Sequence, residues 1–213
     1  MASANGPFET HCCLSHFCEH AGPKIEFIAQ VAPRKHRQAA ASVIAEAKYV
    51  TPDTHFVFEG SPGPHAKWTA VLRSACIRCL SVEFLSPDAK AMCFGDPQSG
   101  YTCFYLFKIQ DSQARGYSRQ LCLSFTSPAP EALIMNYRML TVHFGYIAQA
   151  IKLRAEAVYE KEKQQTQSSA AVGSVMTMNR FHTHRSTHTL RDFPVLLGIE
   201  NFYMQLHRQF SWL

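Results

Sequence analysis

Residues 93–122 read CFGDPQSGYTCFYLFKIQDSQARGYSRQLC, and the fold turns on them. Gly95-Asp96-Pro97-Gln98-Ser99-Gly100 is turn chemistry: the two glycines reach φ > 0 at no steric cost, and Pro97 fixes its own φ. Tyr101 to Ile109 is almost wholly apolar or aromatic and ends abruptly at Gln110. A short run rich in Phe and Tyr and bounded by turns predicts a strand buried on both faces. Asp111 to Gly116 then lifts a polar tip out of the sheet, with Arg115 as its one strong cation, beside Gly116. Leu121, Leu123 and Phe125 alternate with Cys122 and Ser124, the period of a returning strand.

Upstream, residues 11–18 and the alternation Ile25, Phe27, Ala29, Val31 predict two strands joined by a Gly22-Pro23 turn. The second has a polar outer face, which suits a place near a sheet edge. Residues 1–10 form an N-terminal tail, and 32–67 an insertion holding a basic knot (Arg34, Lys35, Arg37), a possible short helix over 39–48 and a Gly-Pro loop at 60–64. From Trp68 the pattern changes. Trp68, Val71, Leu72, Ala75, Cys76, Cys79 and Leu80 form a helical stripe, with Arg73 and Arg78 off it.

Downstream, Ser127-Pro128-Ala129-Pro130-Glu131 is a helix entrance: a hydroxyl to cap, prolines in the first turn, an acid near the positive end. Leu133, Tyr137, Leu140, Phe144, Ile147, Ile151 and Val158 continue the helix, expected to run from about Glu131 to Glu162. Residues 164–191 have the composition of a flexible linker. Asp192 and Pro194 open a last helix with the stripe Ile199, Phe202, Leu206, Phe210, Leu213, which ends unfinished, as in a fragment of a larger chain. The expected order is β-β-α-β-β-β-α-α: an α+β architecture, one domain over 11–213, with a five-stranded antiparallel sheet and helices packed on it.

The 213 residues are 46% hydrophobic and 17% charged, enough to bury a sizeable core. The net charge of +5 is too mild for a dedicated nucleic-acid binder. The first ten residues have neither the basic nor the apolar region of a signal peptide, and no run reaches the roughly 18 apolar residues of a membrane span. Eight cysteines without such a signal point to reduced thiols in the cytoplasm.

No catalytic motif is present: no GxSxG, P-loop, HExxH or dinucleotide-binding fingerprint. His11, Cys12, Cys13, His16, Cys18 and His20 look like metal ligands, but strand alternation sends them to opposite faces, so small buried cysteines in a strand are the better reading, with no metal and no cofactor. Cys76-Ile77-Arg78-Cys79 lies mid-helix, where core packing explains it better than thiol chemistry. His182, His184 and His188 read as solvated linker. Glu83, Asp88, Asp96 and Asp111 stand as isolated acids without a visible partner. Arg115, taken alone, reads as a solvated surface charge, although an arginine beside a glycine at a hairpin tip also has the reach an arginine finger needs. Arg119 is the alternative, placed where the returning strand limits its reach.

Several of these segments resemble, in order, the N-terminal longin domain of the folliculin family, and a fungal member of it. They are His16-Phe17-Cys18-Glu19-His20-Ala21-Gly22-Pro23-Lys24, Ala75-Cys76-Ile77-Arg78-Cys79-Leu80-Ser81, Phe94-Gly95-Asp96 with Gly100, and Phe107-Lys108-Ile109. Asp111-Ser112, Ala114-Arg115-Gly116-Tyr117 and the closing Phe210-Ser211-Trp212-Leu213 complete the set. The resemblance implies a longin sheet and a subunit of a GTPase-activating complex acting on Rag-type GTPase heterodimers, in nutrient signalling to TORC1. It implies a folliculin-interacting-protein-like longin/DENN partner and recruitment from the cytoplasm to the vacuolar or lysosomal membrane. The family's catalytic arginine lies in a matching Ala-Arg-Gly motif, which implies that Arg115 is the finger, supplied in trans. No DENN module follows, and the insertions at 32–67 and 164–189 do not resemble the family's. The competing expectation is a non-catalytic longin adaptor in membrane traffic, or part of a DENN-type exchange-factor complex, neither of which requires Arg115.

Overall fold

The strand expected over 101–109 is β6, Gly100–Gln110, flanked by a partner on each side in a seven-stranded antiparallel sheet. The computed structural model describes residues 10–19, 21–31, 49–50, 55–59, 66–81, 91–172 and 191–213. The sheet order is β3–β4–β2–β1–β7–β6–β5. Its other strands are β1 (His11–Cys18), β2 (Gly22–Val31), β3 (Tyr49–Val50), β4 (His55–Glu59), β5 (Met92–Asp96) and β7 (Ser118–Ser127). The five expected strands keep their expected order, which gives the longin-like α+β fold. Two short strands from the 32–67 segment, β3 and β4, extend the sheet beyond β2, so β2 is not its edge. The basic knot, the possible helix over 39–48 and the 60–64 loop lie outside the described residues, as do His20, Glu83, Asp88 and the histidines of 182–188.

Alternation on β6 and β7 sorts side chains between two helical layers. Cys103, Phe107 and Ile109 of β6 and Leu121, Leu123 and Phe125 of β7 face the main core, under α2 (Pro130–Val172), α3 (Phe193–Leu197) and α4 (Phe202–Phe210). Phe104, Leu106 and Cys122 face the other way, onto Cys76, Cys79 and Leu80 of α1 (Ala66–Leu80). The CxxC pair is therefore core, and burial raises the Cys76 thiol to about 11. Cys12 and Cys13 point to opposite faces of β1; burial lifts Cys12 to about 12 and pushes Cys13 well up. All eight cysteines are free thiols.

Three local features depart from simple periodicity. First, Leu14 pairs with Phe27 but Ser15 pairs with Ile25, so Glu26 is the extra residue of a β-bulge. Ile25 consequently packs with the α1-side cluster, while Phe27 enters the main core. Second, α2 continues to Val172, beyond the expected end at Glu162. Gln, Ala and Ser carry no steric stop, and the first glycine after Gly145 is Gly173. Third, the expected single last helix is two. Gly198 takes the left-handed conformation (φ 62°, ψ 34°) and closes α3, and Asp192 sits at its N-cap without a side-chain capping bond.

The turn at 95–100 closes as its composition requires. Asp96 Oδ1 accepts hydrogen bonds from the backbone N–H groups of Gln98 (2.9 Å) and Ser99 (2.7 Å). These amides hold the Asp96 carboxyl below its usual range, so it is not an isolated acid. A Cβ on Gly95 would lie 2.5 Å from the Gly100 carbonyl oxygen, so no other residue fits there.

Candidate functional site

The hairpin between β6 and β7 ends in a short 3-10 turn, Arg115–Tyr117. Its backbone is closed by three hydrogen bonds: Asp111 N–H to Tyr117 O (3.1 Å), Ala114 N–H to Asp111 O (3.1 Å) and Tyr117 N–H to Ala114 O (2.9 Å). Gly116 (φ 69°) and Tyr117 (φ 56°) both occupy the left-handed region, free for glycine and uncommon for tyrosine. Ala114 is buried and anchors the turn, whereas Arg115, Gly116 and Tyr117 are exposed. The Arg115 amide donates to Glu19 Oε1 from the β1–β2 connection. Among the described residues, the Arg115 guanidinium makes no hydrogen bond or ion pair.

Beneath the tip lies a paired and mostly buried set of charges. Asp111, with no exposed surface, accepts from Arg119 Nη2 at 2.6 Å through Oδ2 and from Arg191 Nη2 at 2.7 Å through Oδ1. Gln113 N–H also donates to Oδ1 at 3.0 Å. Burial alone would raise the Asp111 carboxyl; the Arg191 hydrogen bond, the Gln113 amide and the two guanidinium charges outweigh it and hold the group below its usual range. Arg191 Nη1 donates to Glu162 Oε1 on α2, and Ser112 Oγ donates to Glu162 Oε2 at 2.6 Å. Arg119 Nη1 reaches the Arg191 carbonyl at 3.2 Å, and its guanidinium stands 5.4 Å from the Phe193 ring.

These contacts separate the two arginines singled out in the sequence. Arg119 is buried and held, so it cannot reach another molecule; the Arg115 side chain is exposed and, among the described residues, unengaged. They also correct the expectation that Asp111 is an isolated acid. A hairpin brings Asp111, at its foot, near Arg119, the residue of the returning strand that pairs with Ile109, a signal available in the sequence. No spacing announces Arg191 and Glu162, which arrive from 80 and 51 positions further along the chain.

A cleft of about 650 Å³ opens beside the tip, between Ser112 and Tyr117 on the hairpin and Tyr159, Glu162 and Thr166 on α2. A second feature lies along α2. Met135, Met139, Val142, Tyr146 and Leu153 are exposed at helical spacing, on the side away from Leu140, Phe144 and Ile151. The stretch 132–155 carries Arg138, Lys152 and Arg154 and no acid.

Comparison with known proteins decides the family. A family model described as "Folliculin: Vesicle coat protein involved in Golgi to plasma membrane transport" matches residues 58–213, more than half of the chain. The chain belongs to the folliculin family. It is 27% identical over 150 residues to folliculin from Mus musculus, Xenopus tropicalis and Homo sapiens, a match covering 70% of this chain and 26% of each relative. The chain thus spans about a quarter of the length of the curated folliculins it matches. Those relatives are vertebrate, so the fungal source expected above rests on the resemblance alone. The tip, its charged foot, α2 and the last two helices all fall inside the family match.

Proposed function

We propose that this chain is the longin domain of a folliculin-like subunit of a GTPase-activating complex acting on Rag-type GTPases, and that Arg115 is its arginine finger. The observation that carries this reading is an exposed guanidinium, unpaired among the described residues, on a hairpin tip whose neighbouring charges, Asp111, Arg119 and Arg191, are all paired. In GTP hydrolysis, charge develops on the transferred phosphoryl oxygens and on the leaving oxygen. A guanidinium pushed into that site neutralises it through a planar, bidentate fork, an effect worth about 10³ to 10⁵ in rate. The subunit needs no chemistry of its own; nucleotide and magnesium belong to the GTPase.

Partner docking belongs to the same proposal. The exposed apolar residues of α2, from Met135 to Leu153, suit a folliculin-interacting-protein-like longin/DENN partner, with which the chain would act in nutrient signalling to TORC1. Recruitment to the vacuolar or lysosomal membrane belongs to the same proposal; among the described residues, no helix is long and apolar enough to cross a membrane.

A second reading has its own support. The family description speaks of a vesicle coat and of transport, which suits a non-catalytic adaptor in membrane traffic. The two readings part in a direct assay. The chain, assembled with its longin partner, is added to GTP-loaded Rag dimers. The activator reading expects hydrolysis accelerated about 10³-fold or more; stable binding with hydrolysis at the intrinsic rate would leave the adaptor.

A further inference from the structure

We propose that Arg191, acting through Asp111 and Glu162, is a positioning residue that holds the Arg115 tip in its presenting geometry. This rests on the reading of Arg115 as the inserted cation.

The tip has little to hold it from within. Its outer residues, Arg115 to Tyr117, bury no side chain, and Tyr117, 64% exposed, keeps a positive φ without packing to enforce it. A non-glycine residue persists in that region when its surroundings over-determine it. Here the determination comes from the foot of the hairpin. Asp111 uses its backbone N–H and C=O to close the turn on Tyr117 and Ala114, and its Oδ1 to hold the Gln113 amide. The orientation of Asp111 therefore sets the turn, and the two arginines set the orientation of Asp111.

The arginines have different tasks. Arg119, from the hairpin itself, ties Asp111 to the adjacent strand and, through the Arg191 carbonyl (3.2 Å), to the segment before α3. Arg191 comes from outside, immediately before α3, and its fork spans two bodies: Nη2 on Asp111 (2.7 Å) and close to Ser112 Oγ (3.4 Å), Nη1 on Glu162 of α2. Glu162 closes the ring through Ser112 Oγ at 2.6 Å. The hairpin foot is thus pinned to the long helix by an arginine that belongs to neither. On the far side, Glu19 takes the Arg115 amide. An inserted guanidinium works only within a few tenths of an ångström of its place, and a misplacement of about 1 Å can cost roughly 10²-fold in rate. The fork at Arg191 is the element that fixes that place relative to the helical layer.

The test uses Arg191→Met, which keeps the apolar stem and removes the fork, and Glu162→Gln, a change at the partly exposed end of the ring that leaves the buried pair intact. Arg191→Lys keeps the charge without the fork. In the free chain, amide exchange at Ala114 and Tyr117 should accelerate by about tenfold or more in Arg191→Met and less in Glu162→Gln, with Leu123 in the core strand unchanged. In the assembled complex, the maximal single-turnover rate of GTP hydrolysis should fall by about 10²-fold. The concentration giving half-maximal stimulation should stay within about twofold, since the docking surface is untouched. Arg191→Lys should recover only part of the rate. Unchanged exchange at Ala114 and Tyr117 in both Arg191→Met and Glu162→Gln overturns the proposal. Faster exchange with an unchanged maximal rate overturns it as well. Arg115→Ala runs alongside: a wild-type rate there removes the finger reading itself, and the exchange measurement tells that failure apart from failure of the clamp.

Discussion

Arg115 and Asp111 stand four residues apart and face opposite costs. Removing the Arg115 side chain opens no cavity and strands no partner, so Arg115→Ala should change stability by no more than ~0.5 kcal/mol. Removing the Asp111 carboxylate leaves Arg119 an uncompensated buried cation and leaves Arg191 with Glu162 alone, and Asp111→Ala should cost about 3–5 kcal/mol. Urea unfolding of the two variants checks both values. Glu26 supplies a pH signature. Burial works against its charged form, but hydrogen bonds from His16 and Tyr203 and the Lys24 charge prevail and lower its pKa to about 2. Tyr203 Oη donates to Glu26 Oε1 at 2.7 Å, tying α4 to the bulged strand β2. A carboxyl depressed on folding stabilises the fold above its unfolded pKa, and that contribution is lost as pH falls through the folded value. Stability should therefore decline between about pH 4.5 and pH 2, and Glu26→Gln should flatten that part of the profile while costing about 3 kcal/mol at pH 7. Thermal unfolding across that range measures the slope; an unchanged slope in Glu26→Gln would contradict the assignment.

Elements were legible where one physical signal dominated. The period-two alternation of 121–125 and the turn residues at 95–100 marked β6 and β7, because a pleated strand between two packed layers leaves little choice of residue. Stripe residues of α1 and α2 such as Leu72, Cys76, Leu140 and Phe144 were readable for the same reason. Signals failed where the deciding contact is distant. The bulge at Glu26 inserts one residue opposite β1 and breaks an alternation that looked continuous. Strand β3 has two residues, too few to carry a period, and β4 sets Phe56, Val57 and Phe58 side by side, so it shows no alternation. Helix α2 overran its expected end because nothing in 164–172 stops a helix. The foot of the tip was half legible: Arg119 follows from hairpin geometry, Arg191 from nothing local. Gly198 lies among apolar residues that read as one stripe, yet it divides α3 from α4. Gly198→Ala forces a Cβ into the left-handed region and should destabilise by about 1–2 kcal/mol, read as a lowered urea midpoint with unchanged slope.

At the scale of the whole molecule, one face of α2 builds the core and the other displays apolar side chains, Met135 at 84% and Tyr146 at 72% exposure. If that face docks the proposed longin partner, the double substitution Met139→Glu/Tyr146→Glu should abolish the heterodimer in light scattering while leaving the melting temperature of the free chain within a few degrees. The proposed function joins that face to the tip, because a finger acts only when the assembly delivers it. The most direct measurement is single-turnover GTP hydrolysis by Rag dimers in the assembled complex, comparing wild type, Arg115→Ala and Arg115→Lys. The guanidinium acts on charge that develops only in the transition state, so Arg115→Ala should lose stimulation by about 10³-fold or more while still binding the GTPase. Arg115→Lys should recover little, because an ammonium lacks the bidentate fork. Stimulation at the wild-type rate in Arg115→Ala would contradict the account and leave the tip without a part in hydrolysis.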